Sequence, residues 1–184
     1  MQTFLPYSDY AKSAASLDQK RLGKQRVEAY QILLQLCGLK MVDYPIWKPR
    51  PARWNHPAMA MWAGHEVDLV NYIEACCNEW TSRGYKDTCL EKSRFTLSVA
   101  RSDNWLTSPP GWIGDEAVHK THRSNLVRKD PEFYRTIFPA EKVAKEEDYL
   151  EYIWPKTDFN LKERTAENYE RMVALYSLDR SKEV

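Results

Sequence analysis

Apolar residues recur at helical intervals along most of this chain, most clearly between Asp18 and Cys37. There Leu22, Ala29, Tyr30, Leu33 and Leu36 fall on one side of a helix, which gives it a face to dock on a core. Lys20, Lys24 and Glu28 form a row on the other side, with Arg21 and Gln25 beside it and Gln31 and Gln35 continuing it. The pattern predicts a helix over 18–37 that stops at Gly38, after a shorter one capped by Ser8 and running through Ala15. A second long helix is expected from His56-Pro57, with Pro in the first turn, to Arg83-Gly84. Its first turns, Ala58 to Glu66, are rich in small residues that suit close approach to the central helix. Val67, Val70, Ile73, Cys77 and Trp80 supply its core positions. Further helices are expected over 87–100, from Asp115 or Glu116 through Arg128, from Asp130-Pro131 through Phe138, and over 163–178. The last of these carries Tyr169, Met172, Val173 and Tyr176 on one side. Pro45, Pro49, Pro51 and Pro57 mark residues 39–57 as irregular, and Pro109-Pro110-Gly111 marks a turn within a loop over 104–114. Little of the chain alternates as a strand does, so the expected fold class is mainly α.

At 184 residues, 43% of them apolar and 29% charged, the chain is long enough to bury a core as one domain. No stretch approaches the roughly 18 apolar residues that span a bilayer. The first residues lack the basic-then-apolar pattern of a secretory signal, so an intracellular protein is expected. Cys37, Cys76, Cys77 and Cys89 form no CxxC pair and read as reduced thiols. A net charge of +1 conceals +5 over residues 1–53 and −3 over residues 139–184. The shift after Phe138 suggests a body over 1–138 and an acidic extension over 139–184 docked on it, with a partner-binding arm as the alternative. In that extension Tyr149, Tyr152, Ile153, Trp154 and Pro155 resemble an aromatic clip that returns to the body.

The candidate chemistry centres on Glu28, one acid among Lys20, Arg21, Lys24 and Arg26. Cations in such a row suit a phosphate backbone, and a single carboxylate among them can move a proton or stabilise a developing positive charge. The alternative is a solvated face with a Lys24–Glu28 pair, which contributes only about 0.3–0.5 kcal/mol. In the proline-rich loop Trp47, Lys48, Arg50, Arg53 and Trp54 mix cations with aromatics, as phosphate contact plus base stacking would require; half-buried loop tryptophans are the alternative. His119 and His122 stand three apart, with His56 and His65 elsewhere, but no acid or cysteine sits at a matching interval. No metal and no cofactor are therefore expected. His65 also suits a core position, and Trp62, Trp80, Trp105 and Trp112 read as core.

Three segments, in order, resemble the phage endonuclease V type of pyrimidine-dimer DNA glycosylase. They are Leu17 to Glu28 with its apolar helix, His56-Pro57 to Gly64-His65-Glu66 with a helix ending Arg83-Gly84-Tyr85, and Asp115 to Leu126 followed by Lys129-Asp130-Pro131-Glu132-Phe133-Tyr134. The resemblance implies a compact single-domain helical bundle of that type, here with a helical C-terminal extension, that kinks damaged duplex DNA and extrudes a nucleotide. It implies excision of a damaged pyrimidine through an amine Schiff base, followed by β-elimination at the abasic site. Glu28 maps onto the family's glutamate, and Lys20, Arg21 and Arg26 onto its phosphate clamps. The amine is expected from Met1, with Lys24 as substitute nucleophile, because the bulky Gln2 normally prevents removal of the initiator methionine. Gln25, Arg50, Arg53, His56, His65, His119, His122 and Arg123 complete the expected DNA-binding set. Phe133-Tyr134-Arg135 reproduces only part of the family's carboxy-terminal aromatic cluster. The expected partner is lesion-bearing duplex DNA, met by a monomer in the cytoplasm of a bacterial or phage-infected cell, with no membrane and no small-molecule cofactor. The rival expectations are a catalytically silent DNA-binding or assembly module and a glycosylase for another modified base.

Overall fold

Asp18 starts the helix on which the others pack. Its carboxylate accepts from Arg21 N at 3.0 Å and pairs with the Arg21 guanidinium at 2.6 Å, and it also takes a hydrogen bond from the Tyr134 hydroxyl. Caps of this kind contribute about 1 kcal/mol. The computed structural model describes residues 2–41, 47–49, 56–100, 105–141, 150–155 and 161–180. Among them run α1 (Tyr10–Ala15), α2 (Gln19–Leu36), β1 (Leu39–Met41), β2 (Trp47–Pro49), α3 (Pro57–Ala60), α4 (Glu66–Ser82), α5 (Cys89–Ala100), α6 (Glu116–Lys129), α7 (Pro131–Ile137) and α8 (Leu161–Arg180). The fold is mainly α, as its periodicity predicts, and no helix among the described residues is long and apolar enough to cross a membrane.

Helix α2 packs on α4 and α5, with α3 and β1 beside them. Leu22, Ala29, Leu33 and Leu36 are buried on the predicted face, and Tyr30 lies with them. Gly23 breaks the helix-propensity rule for a reason. The Trp80 ring lies over it, and a β-carbon there would stand 3.1 Å from that ring. Arg26 lies over the same indole at 4.2 Å and pairs with Asp87 just before α5. Gly38 ends α2 at φ +71. The backbone of α8 passes so close that a β-carbon at this position would stand 3.0 Å from Tyr169 N.

Four local expectations are corrected. The cap of α1 is Asp9, which accepts from Lys12 N at 2.7 Å, and not Ser8. The helix expected from Pro57 to Arg83 is two: Gly64 takes φ +90 and turns the chain between α3 and α4. Within 39–57, β1 and β2 form a short antiparallel pair with Lys40 opposite Lys48. Val173 of α8 is exposed, and among the described side chains there Asn168 and Met172 are buried.

Residues beyond 138 are held to the preceding helices in several places, two of them by side-chain hydrogen bonds to backbone at α6 and at the end of α2. Side chains of α6 hold residues 150–155: Leu150 N donates to Ser124 Oγ at 3.1 Å, Asn125 Nδ2 to Leu150 O at 2.7 Å, and Ile153 N to Thr121 Oγ1 at 3.3 Å. Asn168 Nδ2 of α8 donates to Leu36 O at 2.8 Å, satisfying a carbonyl at the end of α2. The expectations for 140–150 and for Tyr149 fall outside the described residues, apart from residues 140, 141 and 150.

Candidate active site

Residues 2–7 enter the core as an extended segment whose backbone is held by side chains. Gln2 N donates to Glu28 Oε2 at 2.9 Å. Phe4 N donates to Gln25 Oε1 at 2.7 Å, and the Tyr72 hydroxyl shares its proton between that oxygen, at 2.8 Å, and Phe4 O, at 3.0 Å. Leu5 N donates to His122 Nδ1 at 3.1 Å, and Leu5 O lies 2.8 Å from His119 Nδ1. Arg123 Nη1 reaches Pro6 O at 2.8 Å. Trp62 Nε1 holds the Thr3 hydroxyl at 3.0 Å. Buried peptide groups need such partners. Here they fix the register of the chain's first residues against Glu28.

The histidine pair has an assignable protonation pattern. His119 Nε2 accepts from Gly114 N at 3.1 Å, so its Nδ1 carries the proton and donates to Leu5 O. His122 accepts at Nδ1, so its proton is on Nε2, which is buried and without a partner among the described residues. Burial, with His119 beside it, pushes the His122 imidazole down to about 3. Both rings are clamps on Leu5.

Beside the Gln2–Glu28 contact lies a hollow of about 520 Å³ lined by Gln2, Phe4, Lys20, Arg21, Lys24, Gln25, Glu28, His56, Lys129, Tyr152 and Trp154. Its size falls within the about 300–1,000 Å³ of small-molecule pockets. A shallower groove of about 730 Å³ runs along the other flank of α2 and shares Lys20, Lys24 and Glu28, with Trp80 as its far wall. The Lys129 ammonium is held below the ordinary lysine range by burial first and then by Arg128, Arg21 and Lys24, with Glu28 opposing. The hollow is therefore positive, with one carboxylate in it. Among the ion pairs of the described residues none joins Lys24 to Glu28, and Glu28 accepts from Gln2 N instead.

Glu28, Lys24, Lys20, Arg21, Gln25 and His56 are brought together around this hollow. Arg21 divides its charge between Asp18 and Asp130 and lies over the Tyr134 ring. The other expected contacts have different work, and the sequence expectation is corrected for them. His119 and His122 are 2% and 0% exposed, too deep to touch a duplex. Buried His65 heads α4 and its Nδ1 meets Ser108 O at 3.2 Å. Arg26 is committed to Asp87 and Trp80, and Arg123 to Glu116, Glu141 and Pro6 O. Gln25, although it borders the hollow, is 1% exposed and spends its carbonyl on Phe4 and Tyr72. Met1, Arg50, Arg53 and Trp54 lie outside the described residues, as does the side chain of Trp47. Trp62 and Trp105 are core, while Trp80 and Trp112 are only partly buried. All four cysteines are free.

Lys129, Tyr152 and Trp154 were missed as site residues. The latter two come from the clip, where the Tyr152 ring meets His122 at 5.4 Å and Trp154 at 5.3 Å. The clamping role of Gln25 had a signal: it sits at helical spacing between Leu22 and Ala29, and a polar side chain on a buried face needs a buried partner.

A mainly helical body that presents a backbone nitrogen and one carboxylate inside a cationic hollow defines a class of protein suited to a polyanionic substrate. A family model described as pyrimidine dimer DNA glycosylase matches residues 1–93, and the chain belongs to that family. It is a DNA-repair glycosylase, and DNA is its substrate. The matched span holds the Gln2–Glu28 contact, α2, α3 and α4; the third segment of the resemblance, from Asp115 onward, lies beyond it. Comparison with curated proteins and with solved structures gives no match.

Proposed function

We propose that this protein excises a damaged pyrimidine from duplex DNA, a pyrimidine dimer foremost, by amine attack and then nicks the strand at the abasic site. The observation that carries the reading is the Gln2 N to Glu28 Oε2 hydrogen bond of 2.9 Å at the edge of the hollow. It brings the start of the chain to the one carboxylate. A terminal α-amine, that of Met1, is the proposed nucleophile. With a reference pKa of about 7.7–8.0 it keeps a reactive fraction at neutral pH that an ordinary lysine, near 10.4, does not.

In this reading Lys20, Lys24, Arg21 and Lys129 hold phosphates while the nucleotide turns out of the stack, at a cost of a few kcal/mol that a lesion lowers. The amine attacks the deoxyribose C1′, and the base leaves with the electron pair of its C1′–N1 bond. The nitrogen–C1′ adduct loses a proton and opens the sugar to an iminium. Glu28 then takes a proton from C2′, the C3′–O bond breaks, and water releases the amine. The division into a body over 1–138 and a docked extension over 139–184 belongs to the same proposal, supported by Tyr152 and Trp154 in the wall of the hollow.

The test is a duplex carrying one cyclobutane pyrimidine dimer, beside the same duplex undamaged. Nicking confined to the dimer strand, leaving a 3′ unsaturated aldehyde and a 5′ phosphate, is expected. Binding to both duplexes with no cleavage would favour the silent DNA-binding module, and cleavage of a duplex with another modified pyrimidine but not the dimer would redirect the substrate.

A further inference from the structure

His56 caps α3 and also lines the hollow that holds Gln2 and Glu28. Its Nδ1 accepts from Ala58 N at 3.2 Å. A ring nitrogen that accepts carries no proton, so the proton of the neutral imidazole is on Nε2. Protonating Nδ1 would set two donors against each other and cost the cap. Partial desolvation, opposed by Glu28, also holds His56 below the usual histidine range. Around neutral pH the side chain is thus confined to one role, that of an uncharged N–H donor. It cannot act as a base, because its lone pair is engaged. The Trp154 ring stands edge-on to it, with centroids 6.0 Å apart and planes at 86°. Trp154 is itself placed by the clip that Thr121 anchors through Ile153 N.

Resting on the excision reading above, we propose that His56 Nε2–H donates the hydrogen bond accepted by the departing pyrimidine as its glycosidic bond breaks. The base takes both electrons of the C1′–N1 bond, and negative charge spreads to its O2 carbonyl. His56 stabilises that charge without giving up its proton; the freed N1 takes a proton from water, and the base stays tied to its 3′ neighbour through the cyclobutane ring. The cations of the hollow already match phosphates, which are charged throughout. A neutral donor instead favours a carbonyl whose charge grows only toward the transition state, which is where an interaction raises the rate.

The test separates base loss from strand nicking. His56→Asn keeps a good N-cap, since the Asn carbonyl replaces Nδ1 as acceptor for Ala58 N, but lacks Nε2–H. Two duplexes are compared under single turnover: one with a single pyrimidine dimer, and one with a preformed abasic site, from which no base has to leave. Glycosidic-bond cleavage in the dimer duplex is expected to fall about 10²-fold more than nicking of the abasic duplex, a usual loss for one such donor. Equal losses on both duplexes, or no loss on either, would overturn the assignment and leave His56 a cap. Wild-type protein that nicks the abasic duplex and leaves the dimer intact would instead remove the excision reading, and this inference with it.

Discussion

Glu28→Gln is expected to lower strand nicking by about 10²–10⁴-fold, the range for loss of a general acid–base group, while DNA binding stays equal or tightens. The substitution is close to isosteric, and the amide oxygen can still accept from Gln2 N, so the 2.9 Å contact that registers the start of the chain has a replacement. The negative charge and the capacity to take a proton are lost. Taking one negative charge out of a hollow bordered by Lys20, Lys24, Arg21 and Lys129 favours phosphate binding. Gel-shift titration beside single-turnover nicking separates the two effects. A variant that nicks at the wild-type rate would remove Glu28 from the chemistry. One that neither binds nor nicks would make Glu28 a structural residue.

Acid should loosen the fold well before its carboxylates titrate. His122 is fully buried, and its folded pKa, pushed down to about 3, lies below the value of about 6.5 that it has in an unfolded chain. Between those values the unfolded state binds a proton that the native state refuses, so stability rises with pH across the window and is lost as pH falls through it. From pH 7.5 to pH 4.5 the loss should be about 3 kcal/mol, a sizeable share of a total of about 5–15 kcal/mol. Asp18 and Asp87, whose pKa values are lowered in the fold, add their losses at more acid pH. Denaturant unfolding across pH 4.5–7.5 reads the slope. His122→Asn, which can still accept from Leu5 N, should flatten it. An unchanged slope in that variant would assign the acid sensitivity elsewhere. The same loss bears on activity, because His122 and His119 hold Leu5, three residues along from the Gln2–Glu28 contact.

The helices were legible because α2, α5, α6 and α7 follow apolar spacing between residues with clear terminal chemistry. Asp18 and Asp130 cap, Pro131 starts and Gly38 stops. The break at Gly64 was hidden, since a glycine among small residues looks the same inside a close-packed helix as it does at φ +90. The short β1–β2 pair escaped because three residues a side carry no alternation to read. Of the site, the Lys20–Lys24–Glu28 row could be read from helical spacing alone, for it needs only one helix. The clamp on residues 2–7 could not, because it joins groups up to 117 positions apart, as Leu5 and His122 are. The buried histidines were mistaken for DNA contacts for the same reason. A polar residue on a helix announces that it has a partner but not whether the partner is a phosphate or a buried peptide group.

Reductive trapping during reaction with abasic duplex, followed by peptide mapping of the cross-linked protein, tests the central claim most directly. Borohydride reduces the iminium to a stable amine and so marks the nitrogen that attacked C1′. The account predicts a covalent protein–DNA adduct on the N-terminal peptide, through the α-amine beside Glu28. An adduct on the peptide that carries Lys24, or no adduct under conditions where the duplex is bound, would contradict it.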